Sequence, residues 1–421
     1  MTMTMRPRSV SAGDDAGEGM MGRLFMCCKR YLMGAALVLG VVGAAAAHGD
    51  HAGAAKAAPA KAARPELGTS AAIAADGSWY AVATRGGHVV LHRSTDGGLR
   101  WHEAAVVNPV PEAVAADGEN RPQLVITADG AVLVSWARRF EERFTGDVRF
   151  ARATDGVHFD APVTVHRDRS VVGHSFNVMR MMRDGRLVIA WIDGRESAAA
   201  KRSGEDYRGS AIYAAVSDDA GRSFRPETKV VDYSCQCCRL ALAEDVDGTP
   251  LLLWRHVFEP NERDHALVRL DVEHGGAAVL ERATFDRWRI DACPHHGPSL
   301  VVAADGTRHA VWFNEREGEG RVFYGRLADG RVEGQRTVGG QRAAHADIAL
   351  AGARIAVVWK EFDGERTRLL AELSDDGGHS FHTQVLASTA GASDQPRVLS
   401  QGDALFVFWR TADEGMKGYA L

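Results

Sequence analysis

Ser217-Asp218-Asp219-Ala220-Gly221-Arg222-Ser223-Phe224 decides the fold, because the chain repeats it. Ser94-Thr95-Asp96-Gly97-Gly98-Leu99-Arg100-Trp101 and Ser374-Asp375-Asp376-Gly377-Gly378-His379-Ser380-Phe381 have the same form, and Ala153-Thr154-Asp155-Gly156-Val157-His158-Phe159 is a shortened copy. The common pattern is Ser-x-Asp-x-Gly-x-x-aromatic. An Asp carboxylate accepts hydrogen bonds from turn N–H groups, and Gly supplies a backbone angle that side chains resist. The aromatic plugs the turn into the sheet beneath. On this reading Asp96, Asp155, Asp219 and Asp376 hold hairpins and carry no chemistry.

Outward from these turns, one unit recurs from Leu67 onward. A short apolar strand leads to a Gly turn, then to a second apolar strand bearing a Trp, then to a polar loop and a third strand. The tryptophans are Trp79, Trp136, Trp191, Trp254, Trp312, Trp359 and Trp409. Asp76-Gly77, Asp129-Gly130, Asp184-Gly185, Asp247-Gly248 and Asp305-Gly306 precede the first five, and Asp-Gly between apolar runs is a hairpin signal. A single four-stranded sheet cannot bury both faces, so repeated units without helical periodicity predict an all-β propeller of antiparallel blades. The unit count gives seven blades. Six are also compatible, because the last unit, Asp394 to Leu421, lacks a clear outer strand and closure could be irregular.

The turn pattern resembles the Asp-box (BNR) repeats of the sialidase superfamily of β-propellers. That resemblance implies a sialidase-like propeller over 67–421, in a family where six blades are usual. It says little about activity, since propellers with other tasks carry such turns.

The N-terminal segment reads as a signal peptide over 1–47. Arg23, Lys29 and Arg30 precede an apolar run from Leu32 to Val42, and Ala44-Ala45-Ala46-Ala47 offers small residues for cleavage. The acidic stretch before Met20 is unusual there and reads as an over-long start; an uncleaved anchor helix is the competing reading. Residues 48–66 read as a flexible Ala/Lys/Pro arm. The expectation is a periplasmic or secreted protein with no stable membrane span after cleavage. A net charge of -5, with acids and bases interspersed, argues against a nucleic-acid partner.

Export leaves four cysteines: Cys235, Cys237, Cys238 and Cys293. In a propeller the starts of the innermost strands share one face, opposite the turns joining strands three and four. Cys235-Gln236-Cys237-Cys238-Arg239 and Cys293-Pro294-His295-His296-Gly297 fall at two such starts. His174, His345, Asn120-Arg121-Pro122-Gln123 and Asp394-Gln395-Pro396-Arg397 fall at others. Two chemistries fit. Disulfides suit an oxidising compartment, and a Cys237–Cys293 bridge would be worth about 4 kcal/mol. Thiolates beside imidazoles suit copper or zinc, with Cys235, Cys237, Cys238, Cys293, His295 and His296 as ligand candidates. The paired histidines favour the metal, because a bridge needs no imidazole. His48 and His51, near the expected mature N-terminus, add mild support for copper.

Second-strand exits place Arg138, Arg139, Asp193, Arg195, Glu196, Arg255, His256, Glu315, Arg316, Glu361 and Arg410 on the same face. Arginines there could clamp a carboxylate. The resemblance implies an arginine triad and a Tyr nucleophile with carboxylate partners, and the candidates are Arg121, Asp193, Arg195, Glu315, Arg316 and Tyr207. The sequence departs from the family here: no Phe/Tyr-Arg-Ile-Pro stretch appears, and neither Tyr207 nor Tyr233 aligns with the nucleophile. Mutual ion pairing is the competing reading for most of these charges. Three functions follow: a propeller binding a soft metal, an exo-acting glycoside hydrolase on an acidic sugar, or a binding propeller held by disulfides. The ligand is correspondingly a metal ion, a sugar or another small molecule.

Overall fold

Apolar runs such as Val132–Arg139, Leu187–Asp193 and Pro250–Arg255 are buried almost throughout, as strands covered on both faces must be. Outer strands such as His102–Val106 have no second cover and stay half-exposed. The structure, a computed structural model, describes residues 66–271, 276–277 (backbone only) and 279–421. The expected signal peptide, His48, His51 and the arm up to residue 65 lie outside the described residues.

The strands form seven antiparallel sheets, each in chain order. The innermost strands are Ser70–Ile73, Gln123–Ile126, His174–Met181, Ala241–Glu244, Ser299–Val302, Ala343–Ala351 and Arg397–Gln401, one for each of blades 1 to 7. Each contacts the innermost strands of the blades before and after, and that of blade 7 contacts that of blade 1. The chain is a seven-bladed β-propeller. Six blades are thereby excluded, and blade 7 has only three strands among the described residues, Arg397–Gln401, Ala404–Thr411 and Gly415–Ala420.

Seven apolar clusters hold the ring, each spanning one interface between blades. Leu133 and Phe150 of blade 2, for example, pack with Leu187, Ile189 and Trp191 of blade 3. The tryptophans are the largest members, and all seven are at most 2% exposed. Six stand late in strand two. Trp79 instead begins its strand, paired with Ser94, so it lies at the opposite end of its blade from the others. There it meets Phe406 edge-on at 5.3 Å, while Trp101 meets Phe408 at 5.7 Å. Both contacts close blade 1 on blade 7, beside a backbone bond from Gly418 N–H to the Gly98 carbonyl.

The repeated turns join strands three and four as expected. Ser217 Oγ donates to Asp219 at 2.8 Å, and Asp219 accepts from the Ser223 N–H at 2.9 Å. Ser94 with Asp96 and Ser374 with Asp376 repeat this geometry. Asp155, in the shortened copy, accepts from the Val157 and His158 N–H groups.

Candidate metal site

The antiparallel register sets strand-one starts beside strand-two ends, as His174 opposite Asp193 shows in blade 3. At this face Cys235–Arg239 leads into blade 4 and Cys293–Gly297 leads into blade 5. Cys235, Cys237 and Cys238 are 1%, 4% and 2% exposed. Their sulfurs converge: Cys235 Sγ stands 3.8 Å from Cys237 Sγ and 3.9 Å from Cys238 Sγ. A disulfide needs about 2.05 Å. All four cysteines stand as free thiols in this structure, and no disulfide joins Cys237 to Cys293. Two thiolates sharing a tetrahedral ion with bonds of about 2.3 Å would sit roughly 3.8 Å apart.

A second convergence joins Cys237 to Cys293 and His295, whose ligand atoms lie within 4.8 Å of one another. Cys237 therefore belongs to both groups. Its partners in the first are buried, whereas Cys293 and His295 are exposed. His296 does not join them. The left-handed backbone of His295 (φ 53°) turns the chain, and the His296 ring stacks on Phe313 at 4.1 Å and His345 at 4.3 Å. Burial, then His345, pushes the His296 imidazole down to about 2, so it is neutral, and its Nδ1 is buried without a partner.

Of the three buried thiols, Cys235 ionises most readily. Hydrogen bonds from the Cys237 and Cys238 thiols, helped by the Arg255 and Arg263 charges, hold it well below the usual thiol range. The Cys237 thiol is pushed up by its bond to Cys235, and Cys238 by burial. Arg263 Nη1 lies 3.6 Å from Cys235 Sγ.

One carboxylate ties the two cysteine segments together. Glu119 Oε2 accepts from the Arg239 N–H at 2.9 Å and the Gly297 N–H at 2.8 Å, the residues just after Cys238 and His296. Its other oxygen accepts from Arg239 Nη1 at 2.9 Å and Gln395 Nε2 at 2.8 Å. Burial opposes its ionisation, but Arg239 and His345 outweigh burial and hold it well below the usual carboxylate range. A Cβ on Gly297 would stand 2.3 Å from Arg239 Cγ and 2.4 Å from the Arg239 carbonyl oxygen, so only glycine permits this approach. Arg255, 1% exposed, donates across the blade interface to the His296 carbonyl at 3.0 Å. Below this plug, Arg239 and Arg397 border a channel cavity of about 490 Å³ lined by the innermost strands.

Sequence reasoning missed Glu119, although it stands one residue before the Asn120-Arg121 stretch. It also missed backbone strain. Of the seven described non-glycine residues with φ between 53° and 62°, four, Phe176, Tyr233, His295 and His345, lie around this site. Phe176 packs on the three buried thiols, Tyr233 precedes them by two residues, and His345 stacks on His296. Such angles cost about 1–3 kcal/mol each and persist where the surroundings enforce them.

The remaining candidates do not converge. Arg121 is fully buried and grips Asp394 through two bonds of 2.9 Å, so it offers nothing to a ligand. Asp193 is gripped likewise by Arg195 (3.0 and 2.9 Å) and also accepts from Trp191 Nε1. His174 Nε2 stands 3.1 Å from Asp168 and 3.6 Å from Asp193, a three-donor group whose carboxylates already face Arg195. Tyr207 donates to Asp232 at 2.8 Å, and burial, then Asp232, raises its phenol far above the usual range. A second tyrosine, Tyr213, donates to Glu196 beneath the Arg195 guanidinium. Its phenol is raised too, by burial and then Glu196. Glu315 and Arg316 end strand two of blade 5, with Arg316 54% exposed and 3.9 Å from Asp286.

No family model and no curated relative matches the chain. Solved structures do. A protein of unknown function from Dyadobacter fermentans DSM 18053 superposes with a TM-score of 0.52 at 13% identity, over 75% of this chain and 96% of its own. A PL25 polysaccharide lyase, an ulvan lyase bound to -[GlcA(1-4)Rha3S]-, gives 0.54 at 12% identity, over 83% and 90%. The polysaccharide lyase Uly1 gives 0.51 at 11%, over 82% and 87%. The likeness is one of fold.

Proposed function

We propose that this chain binds a soft metal ion at the channel mouth, with Cu(I) favoured over Zn(II), as an exported metal-handling propeller. The observation carrying the reading is the spacing of the Cys235, Cys237 and Cys238 sulfurs, which suits a shared ion and is far too wide for a bridge. Copper is favoured because each convergence supplies three donors, mostly thiols. Zinc in structural sites takes four, whereas soft thiolate sets select Cu(I). Cys293 and His295 give the ion a solvent-facing approach. The test is metal analysis of the folded full chain after anaerobic exposure to Cu(I) or Zn(II), then desalting. Wild type should retain copper in at least a one-to-one ratio, and Cys237→Ser should retain under a tenth of it. A wild type that retains neither ion ends the proposal.

A second reading is a sugar ligand, supported by the polysaccharide lyases among the fold neighbours. In its sialidase form, an exo-acting hydrolase would need free arginines to clamp a carboxylate, and the pairing of Arg121 with Asp394 leaves that clamp short. Turnover of a fluorogenic sialoside by wild type, lost in Arg195→Ala, would favour it over the metal reading.

A further inference from the structure

We infer that the cluster takes two ions bridged by the Cys237 sulfur, an inner one held with Cys235 and Cys238 and an outer one held with Cys293 and His295. This rests on the metal reading above and adds its stoichiometry and arrangement.

The argument begins with reach. Two sulfurs bound to one ion at about 2.3 Å each cannot be more than roughly 4.6 Å apart, even in line. The donors fall into two groups of mutual neighbours within 4.8 Å, with Cys237 the member common to both. As the side chains stand, one ion cannot engage Cys235, Cys238, Cys293 and His295 together. A thiolate carries more than one lone pair and can hold an ion on each side.

Charge balance allows the pair. Each thiol that binds releases its proton to solvent, and no electron is transferred, so no oxidant or reductant is required. Four thiolates and two univalent ions leave a double negative charge. Arg263, at 3.6 Å from Cys235 Sγ, and Arg255, buried beside the segments, supply two positive charges to face it. A single Cu(I) on the three inner thiolates would carry the same double negative charge, so the second ion adds no uncompensated charge to this largely buried setting.

The two positions differ in access. The inner group is wholly buried, while the outer one includes exposed Cys293 and His295. An arriving ion meets the outer group first and reaches the inner one through the shared sulfur.

The experiment is an anaerobic titration of the full chain with Cu(I) delivered as its acetonitrile complex, read by native mass spectrometry. Wild type should bind two ions. The double variant Cys293→Ser, His295→Ala changes only exposed side chains, should fold as wild type by circular dichroism, and should bind one. Copper X-ray absorption should show a metal–metal contribution in wild type that the double variant lacks. A wild type that saturates at one ion overturns the bridged pair while leaving the single-ion reading standing. Retention of two ions by the double variant also overturns it. A wild type that binds none overturns both.

Discussion

The two faces of the ring are built on opposite plans. On the turn face, Ser94 with Asp96, Ser217 with Asp219 and Ser374 with Asp376 make one hydrogen-bonding arrangement three times. The Ser and Asp side-chain bonds of each turn are local, made between residues no more than four apart. On the thiol face nothing repeats. Glu119 of one loop binds segments 120 and 178 residues away, and Arg121 reaches Asp394 across 273 residues. Repetition marks what every blade needs for itself. Singularity marks what the ring assembles once, and there the ligand candidates meet.

The sharpest break of that contrast is Arg121→Ala. It leaves the Asp394 carboxylate, 1% exposed, without its cation, and losing one partner of a buried pair costs about 3–5 kcal/mol. Denaturant unfolding should show that loss; a change under 1 kcal/mol would mean that long-range ties matter no more than local ones. Next comes Glu119→Gln, which keeps the shape but turns an amide toward donors. Supporting partners of ligand-bearing segments typically govern 10–100-fold in metal affinity. Competition for Cu(I) against a chelator should show a loss of that order, and unchanged affinity would separate Glu119 from the site. Smallest is Asp219→Ala, which removes side-chain bonds at an exposed turn. It should cost about 1–2 kcal/mol in thermal or denaturant unfolding and leave copper binding untouched. A fall in copper binding there would erase the distinction between the faces.

The same contrast explains how much the sequence reveals. The propeller is legible because its signals are local and recur: Asp-Gly turns, Trp-bearing strands and the Ser-x-Asp-x-Gly pattern. Even so, Trp79 shares the residue type of its six counterparts without sharing their place, and only the pairing with Ser94 shows the difference. For the candidate site, the meeting of Cys235–Cys238 with Cys293 follows from their common position before innermost strands. The separation of His295 from His296 does not, because it depends on one backbone angle. Glu119 was illegible for another reason: a single acid in a loop gains meaning only when four blades bring donors to it. The rim arginines look like ligand clamps in sequence because charge is visible there and pairing is not. Arg121 and Arg195 are each spoken for by a carboxylate.

The closure between blades 1 and 7 sets where the molecule gives way. Its apolar cluster has three buried members, Trp79, Ala81 and Phe408, whereas every other interface has at least ten. The protein is in effect a split washer, fastened at the cut by two edge-on ring contacts and a clasp in which Asp394 receives the Thr69 N–H and the Arg121 guanidinium. Under heat or tension the washer should part at this cut first. Blade 4, entered through the three buried thiols, is three blades from the cut in either direction. The sulfur-bearing arc is therefore the last to feel the ring spring open.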